Sequence, residues 1–283
     1  MAHFEAALKI RKSLLGDNHA DVALLHMNLS AVFQSLGRLD EALAMGSSAL
    51  EIFNKEPGDN QRNIAVCHNN IASILARQGK HDEAMERFST GLAITSETAD
   101  AATHLINIGS VLMKQNKLDE AMEKYVSALR IYEKAKVGTG IALCHRNIAD
   151  VLMKQGKFDE ALEHARKSLA IRQSKLSLEN ADCGESHYLI GNILQRSEKF
   201  AEALDEYDNV VRIRKNLYGE MSLTIADVYG NMAGCFFHLQ KYREAVTYCE
   251  ATIHIRTVLL GADDASLVEL KADLATAQFF AIK

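Results

Sequence analysis

The sequence predicts an all-α chain built from stacked helical hairpins. Three observations carry that prediction. A pattern recurs about every 42 residues, the apolar residues inside each recurrence follow helical spacing, and the composition lacks what a β fold needs. The chain has 283 residues, of which 48% are apolar and 6% aromatic, with one proline and no tryptophan. A β-sandwich or barrel of this size calls for more turn prolines and more aromatic or β-branched runs.

Two markers define the recurrence. Asn28-Leu29-Ser30 is followed by Asn70-Ile71-Ala72, Asn107-Ile108-Gly109, Asn147-Ile148-Ala149, Leu189-Ile190-Gly191, Asn231-Met232-Ala233 and Asp273-Leu274-Ala275. The steps are 42, 37, 40, 42, 42 and 42 residues. Glu-Ala pairs at 41, 83, 120, 160, 202 and 244 keep a constant 13-residue offset from the first marker.

Each unit reads as a leading and a trailing helix. In the fourth, Ile141 to Lys154 carries Leu143, Ile148, Val151 and Leu152 on one face, and Gln155-Gly156-Lys157 breaks the run. The trailing helix, Phe158 to about Ser174, buries Phe158, Ala161, Leu162, Ala165, Leu169 and Ile171. Glycine at the break suits a helix C-cap, and Asp159-Glu160 falls where carboxylates meet the positive end of the next helix. Small residues occupy the crossing in both helices: Ser30, Ala72, Gly109, Ala149, Gly191, Ala233 and Ala275, then Ala42, Ala84, Ala121, Ala161, Ala203 and Ala245. Axes about 8–10 Å apart need side chains this small. One pair cannot bury both of its faces, so neighbouring pairs must stack.

The expected order is an unpaired helix at 4–15, then hairpins at about 21–56, 63–97, 100–136, 140–176, 182–218 and 224–260, then a closing helix at 265–280, all in a single array spanning 1–283. The third unit begins five residues early, and the linker Lys136-Val137-Gly138-Thr139-Gly140 is glycine-rich, so a flexible or kinked point is expected around 95–140. The unpaired start suggests a fragment of a longer array or a cap made by a partner, and unpaired end helices offer a route to a homo-oligomer.

The small residue of the leading helix, the Gly–x–aromatic turn and the Ala that follows resemble the tetratricopeptide repeat. The 42-residue period is similar to the kinesin light chain type, and so is the junction Leu14-Leu15-Gly16-Asp17-Asn18-His19-Ala20-Asp21-Val22-Ala23, with a fainter copy at Leu260-Gly261-Ala262-Asp263-Asp264. The resemblance covers the whole chain. It implies a right-handed superhelical solenoid whose leading helices line a concave groove that binds extended or helical peptides.

On that face Asn28, Asn70, Asn107, Asn147 and Asn231 form one column. An Asn amide offers two donors and an acceptor, so it can pair with a peptide backbone of any sequence. The resemblance implies this role, and the alternative is an Asn ladder joining neighbouring helices. Two helical turns on lies a second column: Ser35, Arg77, Lys114, Lys154, Arg196 and His238. With Arg146 these cations form a local basic stripe in a chain whose net charge is −5. The implied ligand is an acidic peptide, and the alternative is that these are solvated helix ends. Tyr188 and Met27 could supply pockets for an anchor side chain. Leu189 replaces Asn in the fifth unit, with Asn192 one turn later. Asp150, Glu185 and Asp227 approach the same face and limit how acidic a ligand the second half tolerates.

His26, His68, His145 and His187 share a position two residues before the Asn column. A metal ladder would need ligands about 2 Å from one ion, whereas stacked hairpins repeat about every 10 Å. Packing residues are the simpler reading, with a pH switch as the alternative. The five cysteines are odd in number and form no CxxC, which indicates neither a disulfide framework nor a zinc site and fits reduced thiols in the cytoplasm. No GxGxxG, P-loop, HExxH or GxSxG occurs, so no cofactor and no catalysis are expected. The acidic balance argues against nucleic acid, and no apolar run reaches membrane-spanning length.

The expected function is therefore a non-enzymatic module that binds a peptide segment of another protein, as cargo adaptor or scaffold. The alternatives are a regulatory repeat region of a larger protein or enzyme, and a co-chaperone-type clamp for C-terminal carboxylates. The clamp is disfavoured because Leu24, Val66, Thr103 and Leu143 stand where its cations would be.

Overall fold

In a computed structural model the described residues, 2–56, 59–96, 98–175 and 180–282, form fourteen α-helices and no strand. They divide into two compact units, 1–137 and 138–283. In the first, α1 (Ala2–Leu15) packs on α2 (Ala20–Ser35), and three hairpins follow: α2 with α3 (Leu39–Lys55), α4 (Gln61–Arg77) with α5 (His81–Thr95), and α6 (Asp100–Lys114) with α7 (Leu118–Ala135). The second unit pairs α8 (Gly138–Lys154) with α9 (Phe158–Lys175), α10 (Ala181–Arg196) with α11 (Phe200–Tyr218), and α12 (Leu223–His238) with α13 (Tyr242–Leu260). Helix α14 (Ser266–Ala281) packs on α13. The fold is an all-α solenoid of helical hairpins. None of the described helices is long and apolar enough to cross a membrane.

The unit boundary falls inside the glycine-rich segment, but that segment is not a loop. Gly138, Thr139 and Gly140 open α8, so the helix starts three residues before the expected Ile141, and Gly140 is buried. The reversal is made instead by Lys136, the left-handed C-cap of α7. The expected ends of the second and fourth hairpins, 97 and 176, lie outside the described residues.

One turn design joins the two helices of every hairpin. Gly37, Gly79, Asn116, Gly156, Glu198 and Gln240 all have φ between 60° and 81°. The amide after each donates 2.9 Å to the carbonyl five residues back, for example Lys157 to Leu152 and Lys241 to Phe236. This is the Schellman closure that left-handed backbone makes available. Acidic residues then open the trailing helices, as Asp40 and Glu41 do in α3.

Hairpins close on the predicted small residues. Ala42, Ala84, Ala121, Ala161, Ala203 and Ala245 are at most 1% exposed. Two glycines of the leading helices receive an aromatic ring from their own trailing helix. A Cβ on Gly109 would stand 2.6 Å from the ring of Tyr125, and one on Gly191 would stand 2.6 Å from that of Tyr207. Gly91 makes room for His104 in the same way, since a Cβ there would lie 2.2 Å from its Nε2. His104 is 3% exposed, with Nδ1 3.0 Å from the Asp100 carbonyl and Nε2 3.3 Å from that of Ala65.

Glu198 and Gln240 bear a Cβ in left-handed backbone, which costs about 1–2 kcal/mol. Gln240→Gly is therefore expected to raise the unfolding free energy by up to about 1 kcal/mol once glycine's extra unfolded-state freedom is deducted, and with it the urea midpoint. A lowered midpoint would contradict the assigned turn.

Candidate functional site

The polar columns lie on the leading helices of each unit. In the first unit Asn28 is exposed, while Asn70 and Asn107 are half-buried. The Asn107 amide donates 2.7 Å to Oδ1 of Asn69, so α6 is tied to α4 one residue away from the expected column. An amide has two N–H donors, and this bond uses one of them. The basic column is exposed at Arg77 and Lys114. Arg77 donates 2.7 Å to the Gln34 carbonyl in the last turn of α2, a favourable place for a cation. Lys114 makes no hydrogen bond or ion pair with the described residues.

Between α4 and α6 these side chains enclose a cleft of about 170 Å³. Arg77 and Lys114 stand at its rim, Ser73, Asn107 and Ser110 supply polar walls, and Phe88 and Val111 form an apolar floor. Three of the residues singled out from sequence thus converge on one concavity.

In the second unit Arg146 and Asn147 are half-buried on α8, and Lys154 is exposed. Asp150 lies near both cations. Burial pushes its carboxyl above the usual range, while Arg146 and Lys154 pull it down. Tyr188 sits beneath the Arg214 guanidinium, 4.7 Å from ring centre to carbon, an arrangement that attracts cation to ring. The Asn231 amide lies 3.1 Å from the Tyr188 hydroxyl and 3.1 Å from Oδ1 of Asn192. The buried Tyr207 hydroxyl is 2.8 Å from the same Asn192 oxygen and 2.7 Å from Oε1 of Gln195. Asn192, Asn231 and Tyr188 therefore form one network, and Leu189 is buried beside them. Further along, Arg196 lies over the Phe158 ring at 5.7 Å, and His238 stacks on Phe200 at 4.6 Å with the planes 2° apart.

Two of the three carboxylates expected on this face are held in ion pairs. Glu185 accepts from Arg214 at 2.9 Å and Asp227 from Arg256 at 2.6 Å. Arg214 also donates 2.6 Å to the Thr224 carbonyl, and its counterpart Arg172 donates 2.6 Å to the Asp182 carbonyl and 2.8 Å to Ser186 Oγ. The sequence reading missed this arginine column, although Ile171-Arg172, Ile213-Arg214 and Ile255-Arg256 recur at the 42-residue period.

The histidine column packs between helices. His26 and His68 are buried. His187 Nδ1 lies 2.6 Å from Glu206, and His145 Nδ1 lies 3.0 Å from His164 Nδ1. Burial foremost, then the nearby His164 and Lys167, push His145 down to about 4, against the opposing pull of Glu163. Among the described residues no group of three or more His, Cys, Asp or Glu is placed to hold a metal ion. All five cysteines are buried, and burial alone pushes Cys67 up to about 12 and Cys235 to about 11.

The hairpin stack defines the class, and the family follows. Tetratricopeptide repeat families match residues 2–55, 21–97 and 100–174, residues 146–217, and residues 225–266. The chain belongs to the tetratricopeptide repeat family. Its fold is similar to that of BtubC (BKLC) from P. vanneervenii, with a TM-score of 0.71 and 16% identity over 80% of this chain and 94% of that one. It is similar to TPR-like repeats ascribed to a kinesin light chain of Podosopora anserina, with a TM-score of 0.58 and 18% identity over 70% and 97%. Aspartyl phosphate phosphatase F from Bacillus subtilis also shares it, with a TM-score of 0.63 and 17% identity over 87% and 62%. At these identities the likeness is one of fold. No curated relative matches the chain by sequence.

The histidines carry a pH dependence of known sign. An unfolded His145 takes up its proton near pH 6.5 and the folded one near pH 4. Between those values the unfolded chain binds more protons, so stability is full above pH 6.5 and falls as pH drops through the window. His26, His68 and His164 are shifted in the same direction. The urea midpoint is expected to fall from pH 7 to pH 5, and His145→Gln to reduce that fall. An equal midpoint at both pH values would contradict the burial of these rings.

Proposed function

We propose that the chain is a non-enzymatic interaction module that holds a short acidic peptide segment of a partner protein on its leading-helix face, as cargo adaptor or scaffold. A protein-interaction module is what tetratricopeptide repeats build. The observation that carries the finer reading is the α4–α6 cleft, where two exposed cations flank a polar and apolar concavity. Lys114, without a partner among the described residues, is available to a carboxylate, and Arg77 is held in place by the α2 terminus. Charge-assisted bonds to both would fix an acidic side chain, and the local field would steer its approach. The remaining donor and the carbonyl of Asn107, with Asn70 beside it, suit the peptide backbone.

The second unit offers a less basic stretch. Arg146, Lys154 and Arg196 share their face with Asp150, and the tyrosine–asparagine network around Asn192 is already internally bonded. A peptide there meets more apolar and neutral surface. A carboxylate clamp of the co-chaperone kind is disfavoured by Leu24, Val66, Thr103 and Leu143. Buried, unreactive thiols accord with a reducing cytoplasmic setting.

A fluorescein-labelled peptide rich in glutamate around a leucine tests the reading. Arg77→Glu with Lys114→Glu is expected to cut its affinity by about tenfold or more at low salt, to flatten the salt dependence, and to leave helicity intact. Equal affinity for the double variant would remove the basic cleft from the account.

A further inference from the structure

The second unit contains a larger cavity, of about 260 Å³, between α12 and α14. Its walls include Gly230, Gly234 and Phe237 of α12 and Leu270 of α14, with Cys249 of α13 beneath and Asp273 at the edge. Two features distinguish its lining from that of the preceding hairpin.

The first is the pair of glycines. Gly230 and Gly234 sit in the interior of a regular helix, where glycine is a poor former, and neither has a positive φ. Helix crossing does not demand them either. A Cβ on Gly230 would meet only Thr252, at 4.0 Å, and one on Gly234 would meet Gln195 Nε2 at 3.4 Å, both ordinary contacts. Gly191, by contrast, has no room for a Cβ beside Tyr207. Both glycines line the cavity, and neither puts a side chain into it.

The second is the floor. Each trailing helix places the residue five positions after its marker Glu beneath the leading helices, and in the preceding hairpin that residue is Tyr207, whose ring is fully buried. Here it is Cys249. No ring reaches up from this position, Ala233 stands where Gly191 faces Tyr207, and the polar partners of the Tyr207 hydroxyl, Asn192 and Gln195, are replaced by Gly234 and Phe237.

We propose that this cavity is a binding subsite for an apolar anchor side chain of leucine, methionine or phenylalanine size, carried by a partner protein segment with a lysine or arginine beside the anchor. The apolar walls select the side chain. Asp273, the charged group among the lining residues, selects the neighbouring cation. The subsite differs in both chemistry and place from the basic cleft on α4 and α6.

Fluorescence polarisation tests it with labelled Ser/Gly nonapeptides carrying one central residue flanked by lysines. Peptides centred on Leu, Met or Phe are expected to bind at least about tenfold more tightly than the Ala-centred peptide. Gly230→Leu, which fills the cavity with a better helix former, is expected to abolish that difference while keeping or raising the melting temperature. Cys249→Phe fills it from below and should do the same. Asp273→Asn should lower the preference for lysine over glutamate flanks. No dependence on the central residue, or an undiminished dependence in both filled variants, would overturn the proposal. A glutamate-rich peptide centred on alanine reports the α4–α6 cleft separately, so loss of one class of binding with retention of the other tells which reading has failed.

Discussion

The closeness of the two helices within each hairpin governs everything else in this molecule. Alanine at the trailing-helix crossing and a small residue at the leading-helix crossing let the backbones approach, and the space left over is what one further trailing-helix side chain can fill. The residue at that position is Gly46, Phe88, Tyr125, Ala165, Tyr207 or Cys249 in successive hairpins. Where it is Tyr125 or Tyr207, the facing leading-helix residue must be glycine, because the ring stands where a Cβ would be. Phe88 and Cys249 each line a cleft on the leading-helix face, of about 170 Å³ and about 260 Å³. Interiors packed at crystal-like density leave few such spaces without cause.

The chemistry of that face is set by which polar groups are already engaged. Asn107 and Asn231 each bond to a neighbouring leading helix, which engages one N–H donor of Asn107 and both donors of Asn231. Glu185 and Asp227 are neutralised from behind by Arg214 and Arg256. In the first unit the position of those arginines holds Phe53, Thr95 and Tyr132, with the Tyr132 hydroxyl 3.0 Å from Thr103. The first unit thus shows unpaired positive charge at Lys114, and the second has carboxylates paired with arginine and a larger apolar recess.

Most of the architecture was legible from periodicity. Two markers at a fixed offset locate every hairpin, a glycine or asparagine before a lysine or arginine marks four of the six turns, and the alanine column marks each crossing. Glu198 and Gln240 adopt the same left-handed turn without the residue type that announces it, because the surrounding hairpin dictates the backbone there. The segment at Lys136–Gly140 read as a linker because glycine usually breaks a helix, yet burial of Gly140 makes its small size useful inside one. The basic cleft could be anticipated, since Arg77, Asn107 and Lys114 lie on one helical face. Its closure by Phe88 could not, because that needs the depth of the trailing helix. The arginine column carried a visible signal, the recurring Ile-Arg pair, but only the fold shows that it faces the groove carboxylates.

A double-mutant cycle on Gly191 and Tyr207 tests the governing constraint most directly. If the ring and the glycine are matched in space, Gly191→Ala lowers the unfolding free energy of the otherwise native chain by about 1–3 kcal/mol, as overpacking does. In a Tyr207→Leu background the same substitution should cost nothing or raise stability, since alanine is the better helix former. An equal loss in both backgrounds would mean that the ring does not occupy the glycine's space, and the account of how clefts open and close on the leading-helix face would fail with it.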